Sequence, residues 1–454
     1  MKKIIFIRTF YDTGAGGPLP PLGILYISSY LKKKFNDVDI KFADTYFYKE
    51  DDILHLIKEF NPNIVAFSSL SCEKDLLFSL AKKIRMMEKN LFFVAGGPYP
   101  SSNPEELMKS GLFDLIVLGE GEERFAKIVE SFFLKKNYYS LDGIGFVDNG
   151  NIKINLVISY MDNLDEIPFP DLSLIDIKKY SNIRTWNGAN RQYPYIPIIT
   201  SRGCPFGCAY CHNILGKKFR FRSVSNVVEE IVIAYDKYKV KEFHIIDDVF
   251  NYDINRAKDI ARAIKRRFGK SLSFSFPNGI RADLVDEELI SLLADIGTYK
   301  IYFGIESYSD RIRNELMKKS LSLDSVNRAL ELCEKHKIIK CGYFIFGFPG
   351  ETENDRLETI NYASKSMLDI AHFFKFTDYY GRSKNIDETT LFETDDYTLE
   401  SDIRKAYLSF YFSFKRFINI LFKTGIFSIK NFNNIIDFMF KLFVIKITDE
   451  VNKK

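Results

Sequence analysis

The chain has 454 residues, 46% of them hydrophobic and 27% charged, with a formal net charge of +4. That balance excludes a disordered or fibrous chain, and the length implies two to three domains. Charge is spread along the whole chain and gives no argument for a nucleic-acid partner.

In chain order, residues 1–135 alternate short apolar runs with amphipathic stretches. Runs at 3–8, 38–43, 63–69, 91–97 and 114–121 read as strands, with helical stretches such as PLGILYISSYLKKKF and DLLFSLAKKIRMMEK between them. Such alternation predicts a doubly wound, Rossmann-like parallel sheet. Ligands of these sheets bind beyond the carboxyl ends of the strands. Those ends hold TGAGG (13–17), SSLS (68–71), GGPY (96–99) and GEGEE (119–123), where glycine lets a bulky ligand approach the backbone.

Residues 136–195 are less regular, include the proline-stiffened EIPFPDL (166–172), and read as a linker. A second βα series follows over 196–380, with strand signals at 195–201, 241–247, 272–278, 300–306, 340–347 and 371–378. Six βα units predict a partial, TIM-like parallel barrel. From 381 to 454 the chain is rich in Phe, with Lys and Asn interspersed, and reads as amphipathic helices packing on the core. The same pattern also fits an interfacial helix, which leaves a peripheral membrane contact open.

The opening MKKIIFIRTF is too short an apolar run for a signal peptide, and no stretch approaches the ~20 residues of a membrane span. The expected location is the cytoplasm. Six cysteines in so long a chain make no disulfide framework. Three of them, Cys204, Cys208 and Cys211, fall inside SRGCPFGCAYCHN (201–213) at the end of the first strand of the second series. Three thiolates on one short loop suit one face of a cuboidal iron–sulfur cluster and leave its fourth iron open. Zinc sites use four protein ligands, commonly in paired C-x2-C units, and no second pair is present. Gly203, Pro205 and Gly207 let the loop wrap closely. Cys72, Cys333 and Cys341 are scattered and read as small buried hydrophobes.

C-x3-C-x2-C after the first strand of a βα series, with Tyr210 before the third cysteine, resembles the signature of the radical S-adenosylmethionine enzymes. The likeness continues through FHIIDDVFNYD (243–253), NGIRADLVDEELISLLADIGTYKIYFGIES (278–307) and GYFIFGFPGETEND (342–355). It implies a 4Fe–4S cluster on Cys204, Cys208 and Cys211 whose open iron chelates S-adenosylmethionine. An electron from the cluster then releases a 5′-deoxyadenosyl radical that abstracts hydrogen from the substrate. The S-adenosylmethionine site implied is Tyr210, His212, Asp248, Arg281 and Glu306.

The front domain resembles the cobalamin-binding domain that precedes some of these enzymes, on PPLGILYISSYLKK (20–33), PNIVAFSSLS (62–71), VAGGPYPSSNPEELM (94–108) and DLIVLGEGEERF (114–125). The cobalamin contacts implied are Thr13, Gly14, Ser68, Ser69, Ser71, Gly96, Gly97, Tyr99, Gly119, Glu120 and Gly121. RKAYLSFYFSFKRFINIL (404–421) resembles the helical tail that often follows. The chain departs from related patterns in three places. Gly14 stands where D-x-H-x-x-G domains place a cobalt-ligating His, Tyr99 replaces the His of GGPH, and DYYGR (378–382) replaces a PYPGT-like turn. The front domain has no three-cysteine set, which argues against the methylthiotransferase relatives.

The resemblance implies a methyltransferase acting on an unactivated carbon of a small-molecule or lipid-like substrate, with methyl carried by cobalamin. It also implies a reductase, flavodoxin or ferredoxin as electron donor. The alternatives are a cobalamin-binding radical enzyme that cyclises or rearranges without methyl transfer, and a cobalamin or iron–sulfur sensor without turnover.

Overall fold

The computed structural model describes residues 1–10, 17–183, 190–212, 214–378, 396–412 and 416. The chain divides into two compact units, Met1–Gly188 with Asn213–Arg222, and Ala189–His212 with Ser223–Lys454.

The first unit is built on one seven-stranded sheet. Strands β1 (Lys2–Arg8), β2 (Val38–Asp44), β3 (Ile64–Ser68), β4 (Phe92–Gly96) and β5 (Leu115–Val117) alternate with helices α1 (Leu22–Lys34), α2 (Glu50–Phe60) and α3 (Lys74–Met87) and the short helical turns Pro98–Ser102 and Pro104–Lys109, and α4 (Glu122–Leu134) follows β5. The order β2-β1-β3-β4-β5 is parallel throughout. Successive residues of a strand point to opposite faces, so the apolar runs feed two cores. Ile5, Ile7, Val65, Phe67, Phe93 and Ile116 pack with Ile53, Ile57, Leu80 and Ile84 of α2 and α3. Ile4, Phe6, Ile64, Val94 and Leu115 pack with Ile24 and Leu31 of α1 and with Phe125, Ile128 and Val129 of α4. This is the doubly wound arrangement expected.

The linker expectation for 136–195 is revised. Strands β6 (Ile144–Asp148) and β7 (Asn151–Asn155) extend the same sheet antiparallel, with Asp148 opposite Asn151. The turn between them is Asn149-Gly150, with φ of 48° and 78°. Two consecutive positive φ values make the tight hairpin turn that Asn-Gly favours. Beyond it the chain is fastened to α1, where Ser28 Oγ donates to Asp171 (3.0 Å) and Lys32 pairs with the same carboxylate (2.6 Å). The Tyr180 hydroxyl donates to the buried Asp44 at 2.7 Å.

The second unit carries six parallel strands in simple sequential order: β8 (Tyr195–Ile198), β9 (Glu242–Ile245), β10 (Ser273–Phe276), β11 (Thr298–Glu306), β12 (Ile339–Phe346) and β13 (Ile370–Lys375). Helices α5 (Val224–Tyr238), α6 (Ile254–Phe268), α7 (Glu287–Asp295), α8 (Leu323–Lys335) and α9 (Glu353–Lys365) connect them. Each starts at a side-chain cap: Ser223, Asp253, Asp286, Ser322 and Thr352 accept from a backbone N–H of the first turn. Such caps contribute about 0.5–2 kcal/mol each. This is the partial barrel expected.

Helix α10 (Asp396–Tyr411) closes the unit through a buried Arg356–Asp402 pair at 2.7 Å. Its Tyr411 and Tyr407 hydroxyls accept from the N–H groups of Ala371 and Phe373 on edge strand β13. Donors there would otherwise invite pairing with another strand. The rest of the Phe-rich tail from 417 lies outside the described residues, as does most of DYYGR. Among the described residues no helix is long and apolar enough to cross a membrane.

Candidate active site

The three-cysteine loop leaves β8 through a fixed base. Asp247, fully buried at the end of β9, accepts from Thr200 N (2.6 Å), Thr200 Oγ1 (2.5 Å) and Ser201 Oγ (2.6 Å). Arg256 holds the Thr200 carbonyl at 2.6 Å. Gly203 then turns the chain at a φ of 83°, and its N–H donates to Asp248 Oδ2 at 3.2 Å. Within the loop, Cys211 N donates to Cys208 O (3.3 Å) and Ala209 N to Met317 O (2.9 Å). Burial, reinforced by Cys208, Asp248 and Cys204, pushes the Cys211 thiol up to about 12. Thiols crowded in this way take up metal with release of protons. His212 Nε2 stands 3.7 Å from Asp248 Oδ1.

Beside the loop lies a three-membered polar cluster. Tyr210 Oη donates to Glu306 Oε1 at 2.9 Å, and Lys319 Nζ donates to both atoms at 2.8 Å. Burial alone would lower the Lys319 pKa, but Glu306 and Cys208 beside it more than offset this and raise it. Glu306 ends β11 at a bulge in the register with β12, at a φ of 69°. Bulges re-aim side chains next to functional sites, and a non-glycine residue held there is strained. Gly304 makes room for the pair, since a Cβ on it would strike the Glu306 carboxylate and the Lys319 amine.

Lys319 was not among the residues expected, because nothing beside it in the sequence sets it apart from the lysines spread along the chain. Lys318 and Ser320 on either side take φ of 53° and 52°, which turns Lys319 inward. Arg281, the cation among the residues expected, has several partners within the chain. Its guanidinium bonds Asp283 (2.9 and 2.8 Å) and the carbonyls of Lys319 (3.0 Å) and Ser320 (2.8 Å). It also stacks on Phe206 of the metal loop at 3.8 Å. Arg281 therefore braces the loops, and Lys319 supplies the cation beside the thiols.

In the first unit, Ser68, Ser69, Ser71, Gly96 and Gly97 gather at the carboxyl ends of β3 and β4. A Cβ on Gly97, whose φ is 94°, would meet Ser68 Oγ at 3.0 Å. Ser68 and Ser71 are half-buried and Leu70 between them is exposed. Four other expected contacts have partners within the chain. Tyr99 turns into the core against Phe78 and is 2% exposed. Gly121 lies against Ile27 of α1, whose side-chain end a Cβ would meet at 2.7 Å. Glu120 is taken by Arg220, and Gly119 packs against the Ile214 carbonyl. Thr13 and Gly14 lie outside the described residues. The one histidine of this unit, His55, is exposed on α2.

A thiol-bearing loop at the carboxyl end of a sequential parallel sheet, in a chain that begins with a doubly wound domain, defines an iron–sulfur enzyme of the radical S-adenosylmethionine class. The model of the radical SAM superfamily matches residues 198–363, and that of the B12 binding domain matches 9–129. The uncharacterized methyltransferase PH0819 of Pyrococcus horikoshii is 31% identical over 438 residues, which cover 90% of this chain and 92% of that protein. The cytidylyl-2-hydroxyethylphosphonate methyltransferase of Streptomyces wedmorensis is 29% identical over 407 residues, covering 78% and 75%. The fold is shared with TsrM, a radical S-adenosylmethionine methyltransferase from Kitasatospora setae solved with cobalamin and a [4Fe-4S] cluster. Its TM-score is 0.68 at 17% identity, over 84% of this chain and 77% of that one.

The chain belongs to the cobalamin-dependent radical S-adenosylmethionine methyltransferases. The cofactors of that family are a 4Fe–4S cluster, S-adenosylmethionine and cobalamin. In kind, the residues present fit them. Three thiols share one loop, although among the described residues no group of three or more Cys, His, Asp or Glu side chains is gathered as a metal site. The Glu306 carboxylate and Lys319 ammonium beside them complement an amino acid's two charges, and a glycine-lined strand end offers exposed surface for a corrin.

Proposed function

We infer that this enzyme methylates an unactivated carbon of a small-molecule or lipid-like substrate. When bound, the cluster with S-adenosylmethionine supplies a radical able to take hydrogen from such a carbon, and cobalamin supplies a methyl carrier. Cys204, Cys208 and Cys211 hold the cluster. Tyr210, His212, Asp248 and Glu306 face S-adenosylmethionine, joined by Lys319, while Arg281 holds their loops in place. Ser68, Ser71, Gly96 and Gly97 cradle the corrin without a histidine ligand to the cobalt. A reductase, flavodoxin or ferredoxin delivers electrons, in keeping with a reducing cytoplasm.

The observation that carries this reading is the placement of Glu306 and Lys319 against the three-thiol loop. Charges of both signs there suit a zwitterionic ligand. The test is anaerobic reconstitution with iron, sulfide and hydroxocobalamin, followed by S-adenosylmethionine carrying a deuterated methyl group. About four irons and one corrin per chain are expected, with product heavier by a labelled methyl group. Label that stays in S-adenosylmethionine and in the methionine released with 5′-deoxyadenosine, with none in a substrate-derived product, overturns methylation in favour of cyclisation or rearrangement. Iron without corrin overturns the role given to the first unit.

A further inference from the structure

The chain leaves the second unit directly after the metal loop. Residues 213–222 begin two positions beyond Cys211 and belong to the first unit, and the chain returns to the second unit at Ser223. Among the contacts of this ten-residue excursion is a buried ion pair. Arg220 Nη1 lies 2.8 Å from Glu120 Oε1 and 3.0 Å from Oε2, with both side chains almost wholly buried. Arg220 Nη1 also donates to Met161 O at 2.8 Å, and Met161 N donates to Glu120 Oε2 at 3.1 Å. The guanidinium sits 4.9 Å from the centre of the Tyr160 ring.

Two glycines make the same point independently. A Cβ on Gly216 of the excursion would strike the Tyr160 ring, and one on Gly119 would crowd the Ile214 carbonyl at 3.3 Å. The GEGEE strand end, which reads in the sequence as a ligand-binding turn, is thus built to grip the segment that follows the third cysteine.

We propose that Arg220, through its buried pair with Glu120, is a positioning residue for the metal loop, fixing the far end of the tether on which Cys211 lies. A buried charge whose partner is removed is poorly tolerated, and a planar guanidinium forked between a carboxylate and a carbonyl is not replaced by an ammonium. Loss of the grip leaves the three thiols in place but frees the loop's exit. The proposal rests on the reading of the loop as a cluster site.

The experiment uses the full-length protein reconstituted with iron, sulfide and hydroxocobalamin, comparing wild type with Arg220→Met, Arg220→Lys and Glu120→Gln. Lys218→Ala, which breaks only an exposed pair with Asp162, serves as control. Iron and corrin content report the cofactor sites. The paramagnetic resonance spectrum of the reduced cluster, with and without S-adenosylmethionine, and equilibrium dialysis of S-adenosylmethionine report the loop. In Arg220→Met, iron content stays at the wild-type level while the spectrum with S-adenosylmethionine splits into more than one species and affinity falls about 10- to 100-fold, the usual cost of losing a support behind metal ligands. Arg220→Lys recovers part of this, and Lys218→Ala matches wild type. A wild-type spectrum and affinity in Arg220→Met overturn the proposal. If Arg220→Met does not accumulate folded, Glu120→Gln decides on the same two readouts. Wild type that takes up no iron overturns the underlying reading instead, and the two failures are told apart by that one measurement.

Discussion

At Gly304 the absence of a side chain is what lets Glu306 and Lys319 meet beside the thiols. Gly304→Ala places a methyl group on both charged ends. Because both are the ends of long side chains, overpacking here stays near the low end of its usual range, about 1 kcal/mol, and it falls on the proposed S-adenosylmethionine contacts. We expect urea unfolding to register a loss of that size and dialysis to show S-adenosylmethionine binding weakened about 10-fold or more. Unchanged affinity would remove Glu306 and Lys319 from the cofactor site. At this scale the sequence was legible for residues whose chemistry is rare. Three cysteines at C-x3-C-x2-C have few other uses, and Glu306 stands out in an apolar strand. Arg281 and Lys319 were not separable, because both are ordinary cations in ordinary loops. Only the positions of the Asp283 carboxylate and the Lys319 and Ser320 carbonyls decide which one is consumed.

At the scale of elements, the turn that follows β12 carries a charge-sensitive feature. Glu351 Oε2 accepts from Gly347 N at 2.5 Å. Burial pushes its carboxyl from 4.5 up to about 8, with Asp355 and Asp402 adding to the rise and Arg356 opposing it. A folded-state value above the unfolded one means that the stability this group contributes is complete below pH 4.5 and is lost as pH rises through 8. Glu351→Gln cannot ionise. We therefore expect the decline in melting temperature of wild type between pH 6 and pH 8 to be shallower in this variant, measured by circular dichroism. Equal slopes would show that Glu351 titrates normally.

Strand periodicity and helix caps were readable locally, because alternation and a Ser, Thr or Asp at the first turn act within a few residues. The β6–β7 hairpin carried a local signal too, in Asp148-Asn149-Gly150-Asn151. It did not stand out because the edge strand β7, Asn151–Asn155, is too polar to resemble the buried runs around it.

At the scale of the whole molecule, the two units have separate cores, and the proposed cofactor sites draw on different ones. Cys208→Ala should therefore abolish 5′-deoxyadenosine formation while hydroxocobalamin uptake, followed by visible absorbance after desalting, stays at the wild-type level. Full 5′-deoxyadenosine production by this variant would remove Cys208 from the cluster. Loss of corrin uptake would show that the metal loop also supports the first unit.

The sequence by itself determined the two βα series, the doubly wound front domain, the partial barrel and the iron–sulfur loop. Each of these rests on spacing along the chain, which folding does not alter. Tertiary structure alone decided which strand-end residues remain available. Glu120 and Gly119 go to the excursion, Tyr99 and Gly121 to packing, and Arg281 to loop bracing. Apart from Arg281's pair with Asp283, two positions on, those assignments depend on partners between 21 and 100 residues away in the chain for Tyr99, Gly121, Arg281, Gly119 and Glu120, and no local pattern records such a meeting.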